Sequence, residues 1–209
     1  MKRIPPLLYY FINILDFSHR VSISLEQMRL LVRVGAFNFT GIPKKELLWK
    51  VHQLISPIKI SNFHPELFKT IPKEFKLPTL DHSWIDDAYD EIELLGFPLC
   101  NPFLLVKNKP THYILSKDFK SHINRIITVT AYLVTIKKTM TSKKEPMAFG
   151  TFLDEEGYWI DTVHFPPSLK HSSFRGPGIY VIEGRLVEEF DFLTIEVNSM
   201  KRLETLSKE

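Results

Sequence analysis

Two aromatic residues, Phe149 and Trp159, each stand two places from a polar partner, Thr151 and Asp161, shortly after four lysines, Lys137, Lys138, Lys143 and Lys144. Alternation along an extended chain puts Phe149 and Thr151 on one side of one strand and Trp159 and Asp161 on one side of the next. Rings exposed on such a face can stack on unpaired bases, at about 1–3 kcal/mol per base, while the ammonium groups follow the phosphates. The same alternation fits two rings packed into a core, and lysines on exposed turns are commonplace. The residues alone leave both readings open.

The remaining side chains argue against catalysis. No phosphate-binding Gly-rich loop, dinucleotide fingerprint, nucleophile elbow or H-E-x-x-H pair occurs in the chain. His112, His122, His164 and His171 lack metal-type spacing, and no aspartate pair suits two-metal nucleotidyl transfer. Asp86, Asp90 and Glu93 share a helix face, for which a solvated surface is the ordinary explanation and a magnesium site the rare one. One cysteine, Cys100, excludes a disulfide framework and a thiolate zinc site, and fits a reduced cytoplasm. The first residues pair two basic side chains with a short apolar run, but Pro5 and Pro6 interrupt it and no small-residue cleavage site follows. No segment reaches the roughly 20 apolar residues of a membrane span. The expectation is a chain with no catalytic residues, no cofactor, no metal and no membrane partner.

Charge is distributed unevenly. The chain carries a net +3, yet residues 117–144 sum to +6 and residues 145–209 to −6. A locally basic edge on a nearly neutral molecule can still attract phosphates.

The elements that would position these residues are five strands. IITVTAYLVTI (126–136) is β-branched, the polar stretch KKTMTSKKEP reads as a turn, and MAFGTFLDEE and GYWIDTVHFP follow. After a break, GIYVIEGRLVEE and FLTIEVNSM complete the set. Five strands with the longer break after the third predict an OB-fold barrel, which presents strands 2 and 3 and loops 1–2 and 4–5 to oligonucleotides. Ahead of it, 1–56 reads as helical. A first helix is expected through LLYYFINILDF behind Pro5-Pro6, then a capping box at Ser24 and Gln27 with a stop at Gly35. KKELLWKVHQLI gives a third helix, with Leu47, Leu48, Val51, Leu54 and Ile55 as its buried stripe and Trp49 as a packed anchor. Residues 57–121 read as a proline-punctuated linker carrying a short helix at 84–95, stopped by Gly96, and 122–203 as the barrel. The class is α+β: a small helical domain, an extended linker and a C-terminal five-stranded OB barrel.

Taken together, HRVSISLEQMRLLVRVGAFNFTG, KKELLWKVHQL, DDAYDEIELLGFPL and MAFGTFLDEEGYWIDTVHFP resemble the C-terminal region of the bacterial DNA polymerase III alpha subunit, a C-family polymerase. The similarity runs from about Ile14 to Leu203; Leu94 to Leu99 and the barrel's M-A-F…D-E-x-G…F-P are its most specific pieces. It implies a helix-hairpin-helix-like region, a tether and an OB domain, although the first Gly-rich hairpin of the family is missing. It further implies single-stranded DNA as partner of the OB domain. It points Phe149 and Trp159 outward, with Lys137, Lys138, Lys143, Lys144, Thr151 and Asp161 around them. In the tether, His64-Pro65-Glu66-Leu67-Phe68 stands where this family carries a peptide for the sliding clamp, with Leu67 and Phe68 as apolar anchors and His64 in place of glutamine. Those anchors could equally pin the tether to its own domain. The family's catalytic palm lies upstream of this region, so this chain is not expected to polymerise DNA by itself. The implied function is template and clamp engagement within a replicative or lesion-bypass polymerase, alongside other replisome subunits. The alternative is an OB-fold adaptor whose groove binds protein and not nucleic acid.

Overall fold

Five β-strands close into a barrel in the order β1-β2-β3-β5-β4. They are β1 (Ile126–Met140), β2 (Pro146–Leu153), β3 (Trp159–His164), β4 (Ile179–Glu189) and β5 (Phe192–Arg202), and among the described residues five α-helices accompany them: α1 (Ile14–Arg20), α2 (Leu25–Arg33), α3 (Lys44–Ile55), α4 (Trp84–Leu95) and α5 (Pro166–His171). The computed structural model describes residues 10–55 and 83–207. The chain divides into two compact units, Met1–Leu95 and Gly96–Glu209. The proposed clamp residues His64, Leu67 and Phe68 lie outside the described residues.

In the helical unit the expected capping box forms. Ser24 accepts from the Gln27 N–H at 3.2 Å and Gln27 accepts from the Ser24 N–H at 3.0 Å. Gly35, at φ +80°, ends α2 by turning the chain left-handed, and the Ala36 N–H returns to the Leu31 carbonyl at 2.9 Å. Ile14, Met28, Val32, Phe37, Leu47 and Val51 form the buried core. Two expectations need correction. Among the described residues the first helix starts at Ile14 and not at Tyr10, because the Asn13 side chain caps it by accepting from the Asp16 N–H at 2.9 Å. Trp49 is not a packed anchor but 52% exposed. It sits two residues from both Leu47 and Val51, more than half a helical turn from the buried stripe.

α4 joins this unit through charge. Arg33 on α2 donates to Asp90 at 2.9 Å and to Glu93 at 2.7 Å, while Lys45 pairs with Asp86. The acidic face read as solvated is therefore tied to cations of α2 and α3, and the guanidinium is held firmly charged by Asp90 and Glu93. Lys44, only 6% exposed, lies 3.5 Å from Asp87 and 3.4 Å from the buried Glu91.

The barrel encloses Ile127, Val129, Leu133, Phe152, Ile160, Tyr180, Ile182, Leu186, Ile195 and Val197, with Phe119 of the lead-in packed into the same cluster. β1 is longer than the β-branched run suggests. Lys137, Lys138, Thr139 and Met140 continue to pair with β2, opposite Phe149, Ala148, Met147 and Pro146, so the turn shrinks to 141–145. The interval after β3 holds α5, opened by two prolines at its start.

Candidate nucleic-acid interface

The outward rows of the sheet can be read from its register. Lys137 lies opposite Phe149, which lies opposite Val163; Thr135, Thr151 and Asp161 make the next row. Leu153 and Trp159 make the third. Phe149 is 42% and Trp159 62% exposed, so both rings are on the solvent side, whereas their strand neighbours Phe152 and Ile160 are buried. Thr151 donates from its hydroxyl to the Asp161 carboxylate at 2.9 Å, fixing the middle row. Phe149 and Trp159 are thus separated by that polar pair, about 13 Å apart along the strand direction. They do not form one platform; each ring can take a different base.

The lysines divide. Lys137 shares the outer face with Phe149, whereas alternation puts Lys138 beside the buried Ala148 on the opposite face. Lys138 borders an apolar groove with Ile136, Met140, Leu169 and Phe174. Lys143 and Lys144 are exposed at the β1–β2 turn, with Lys144 at φ 62°. Among the described residues no ion pair engages Lys137, Lys138, Lys143 or Lys144.

Trp159 owes its position to Asp154. That buried carboxylate accepts from the N–H groups of Glu156 (3.0 Å) and Tyr158 (2.8 Å), and from Ser116 through both its N–H (3.1 Å) and its hydroxyl (2.6 Å). It closes the β2–β3 turn and ties it to the lead-in. Glu155 next to it receives the Lys109 ammonium and the Tyr113 hydroxyl, which hold its carboxyl below the usual carboxylate range. The D-E-x-G stretch is in this way a structural brace for the aromatic face.

Two further exposed aromatics adjoin this candidate face and were not singled out in the sequence. Phe190 and Asp191 form a two-residue turn between β4 and β5, at φ 51° and 65°, where Asn-Gly or Asp-Gly is the usual choice. Phe190 is 93% and Phe192 74% exposed. β3 runs parallel to β5 with Asp161 opposite Thr194, and carrying that register back two places sets Trp159 beside Phe192. A phenylalanine inside a two-residue break between strands is the sequence signal that could have drawn attention to this edge.

Beneath the face, His164 is fully buried, its ring 4.5 Å from that of Phe174. Thr162 donates its hydroxyl proton to the Gly150 carbonyl at 2.9 Å, so His164 Nε2 must be the donor to Thr162 Oγ1, also at 2.9 Å. Nδ1 is left without a partner among the described residues, and burial lowers the imidazole pKa to about 4. Among the described residues no group of His, Cys, Asp and Glu could hold a metal ion, and no helix is long and apolar enough to cross a membrane.

A closed five-stranded barrel of order 1-2-3-5-4 with a helix between β3 and β4 is an OB-fold. The chain is similar to the DNA polymerase III subunit alpha of Aquifex aeolicus, with 27% identity over 187 residues that make up 86% of this chain and 14% of the relative. The resemblance to the C-terminal region of that polymerase subunit is thereby borne out, and the chain spans about one seventh of its relative's length. No protein-family model matches the chain. Among solved structures, the N-terminal domain of the PriB protein from Thermoanaerobacter tencongensis aligns with a TM-score of 0.33 and 12% identity over 38% of this chain and 96% of its own. The second OB-fold domain of replication protein A from Methanococcus maripaludis aligns with a TM-score of 0.29 and 15% identity, covering 41% and 91%. Likenesses this distant add nothing to the fold assignment, which follows from the strand order of the barrel itself.

Proposed function

We propose that the barrel binds single-stranded DNA across the outer face of β2 and β3, as the template-holding part of a DNA polymerase III alpha subunit. The observation that carries this reading is the pair of exposed rings, Phe149 and Trp159, on either side of a fixed Thr151–Asp161 hydrogen bond. The strand would run from the basic β1–β2 turn, with Lys143 and Lys144, past Lys137 and Phe149 and on to Trp159, Phe192 and Phe190. Asp161, oriented by Thr151, keeps acceptor capacity for the exocyclic amino groups of bases. Lys138 points away from this path and contributes only to the long-range field. The role is binding and not catalysis.

The helical unit with α4 and the barrel with the segment before β1 act as separate modules, and the linker's His64, Leu67 and Phe68 engage the sliding clamp. This part rests on the sequence resemblance. Tethering at the clamp raises the local concentration of a weak DNA contact without requiring tight binding.

The test is a titration of the chain with a single-stranded oligonucleotide at two salt concentrations, read by Trp159 fluorescence. Replacing both rings (Phe149→Ala with Trp159→Ala, read by anisotropy of a labelled oligonucleotide) is expected to weaken binding by about 30-fold or more with the barrel still folded. Unchanged affinity removes the proposal. An adaptor that binds protein would show neither oligonucleotide binding nor the steep salt response of phosphate contacts.

A further inference from the structure

Away from the aromatic face, the barrel carries a concentration of cations that the DNA path does not use. Lys107, Arg175 and Arg202 line one concave site of about 510 Å3, together with the segment 203–207. Among the described residues Glu204 is the one carboxylate on its rim, and none of the three cations is engaged in an ion pair. Arg202 lies at the far end of β5, eight residues beyond Thr194 of the face, so about 26 Å of strand separates the two regions.

Each cation is mounted on paired backbone. Arg202 sits opposite Tyr180 on β4, and the next N–H, of Leu203, returns to the Ile179 carbonyl at 2.8 Å. Lys107 donates its N–H to the Glu204 carbonyl at 3.0 Å, beside the bridge between Val106 and Thr205. The Arg175 N–H donates to the hydroxyl of the buried Tyr180 at 2.8 Å, and that hydroxyl donates to the Gly176 carbonyl at 2.7 Å. Arg202 passes close to the bare backbone of Gly178: a Cβ at that position would stand 2.5 Å from Arg202 Nε. The Arg202 guanidinium thus lies close to bare backbone, on an exposed side chain. Three like charges gathered in one concavity repel one another, and the described residues offer only Glu204 in compensation. Two planar guanidinium forks and an ammonium gathered around one hollow suit a tetrahedral oxyanion, which accepts paired N–H donors.

We infer that Lys107, Arg175 and Arg202 form a phosphate-binding site distinct from the aromatic face. Its ligand is either a backbone phosphate of a longer nucleic-acid strand or a free phosphate-bearing small molecule; the chemistry is common to both, and the experiment separates them. The full chain is titrated with inorganic phosphate while the backbone amide resonances of residues 203–207, which line the hollow and are present in every variant, are followed by NMR. Saturable shifts are expected. They should vanish in the double variant Arg175→Ala/Arg202→Ala and persist in Arg175→Lys/Arg202→Lys, as thermal melting confirms the fold of both. In parallel, the double alanine variant is titrated with oligothymidylates of about 8 and about 30 nucleotides, the shorter lying within the site size of one OB-fold.

If the long strand binds about 10-fold more weakly, its salt slope falls by about 1.4, and the short strand is unaffected, the ligand is a nucleic-acid backbone. Saturable phosphate shifts with both oligonucleotides unaffected assign the site to a free phosphate ligand. Absence of saturable shifts together with unchanged long-strand binding overturns the inference. An equal loss for the short strand overturns it as a separate site, since the arginines would then belong to the aromatic-face contact. Loss of DNA binding on removing Phe149 and Trp159, with the phosphate shifts intact, would leave the two proposals independent.

Discussion

The two units use their cations in opposite ways. In the helical unit, Arg20, Arg29, Arg33, Lys44, Lys45 and Lys50 each have a carboxylate partner within the unit. Lys44 goes furthest, being buried between α3 and α4 against Glu91 and Asp87. In the barrel, Lys109 and Lys117 pair with the acidic β2–β3 turn, while the cations of the β1–β2 hairpin and of the Arg175–Arg202 hollow have no carboxylate partner among the described residues. Cations already satisfied by carboxylates serve the fold; exposed cations without such a partner remain available to an external anion.

The largest effect that can break this contrast is expected at Lys44. Lys44→Ala leaves the buried Glu91 without its ammonium, and removal of one partner from a buried pair costs about 3 kcal/mol. Urea unfolding read from Trp49 and Trp84, both in the helical unit, should show that loss. Replacing the pair together (Lys44→Met with Glu91→Leu) should recover most of it, because no unpaired charge is then buried. Lys143→Ala in the barrel should change stability by less than about 0.5 kcal/mol. Similar stability losses for the Lys44 and Lys143 variants would erase the distinction between structural and available cations.

A second difference is one of pH. His164 has a folded-state pKa of about 4, against an ordinary value of 6.5, because burial disfavours the imidazolium. Between these two values the unfolded chain binds a proton that the folded barrel does not, so stability rises with pH through that window. The contribution is complete above the unfolded value and lost as pH falls towards 4, with a span of at most about 3 kcal/mol. Glu155 has its carboxyl pKa lowered and acts further down, its contribution disappearing as pH falls through the lowered value. Denaturant midpoints read from Trp159 should therefore drift downward between pH 6.5 and 4, and His164→Gln should flatten the drift. A slope that persists in that variant would assign the titration to another group.

Much of this was legible in the residues, for reasons that are local. The stops at Gly35 and Gly96 are left-handed positions, φ +80° and +86°, and the Ser24–Gln27 box closes within one turn, so neighbouring residues are enough to specify them. The barrel strands could be read because β-branched runs and turn residues alternate. What escaped depends on partners distant in sequence. Lys137 and Lys138 look like turn residues until Phe149 and Ala148 are seen opposite them, and strand pairing then overrides local propensity. The burial of Lys44 depends on Glu91, 47 residues later. Exposure of Phe149 and Trp159 could not be read from alternation, which separates the faces of a strand without saying which one is wet.

The smallest effect is the most discriminating, because its two parts have opposite signs. Phe190 occupies a left-handed position in a two-residue turn, with 93% of its surface exposed. A side chain with a Cβ is disfavoured there and the ring buries almost nothing, so the fold gains little from it. Glycine takes that conformation without steric cost. Phe190→Gly should therefore stabilise the barrel by up to about 1 kcal/mol, less whatever unfolded-state entropy glycine adds. If the ring stacks on a base at the edge of the face, the same change should weaken single-strand binding by about 1 kcal/mol, roughly fivefold. Thermal melting and oligonucleotide titration of one variant give both numbers. A barrel that is more stable and binds less well identifies Phe190 as a residue kept for its ligand against the preference of its own turn. A barrel that is more stable with binding unchanged would confine the interface to β2, β3 and the hairpin lysines.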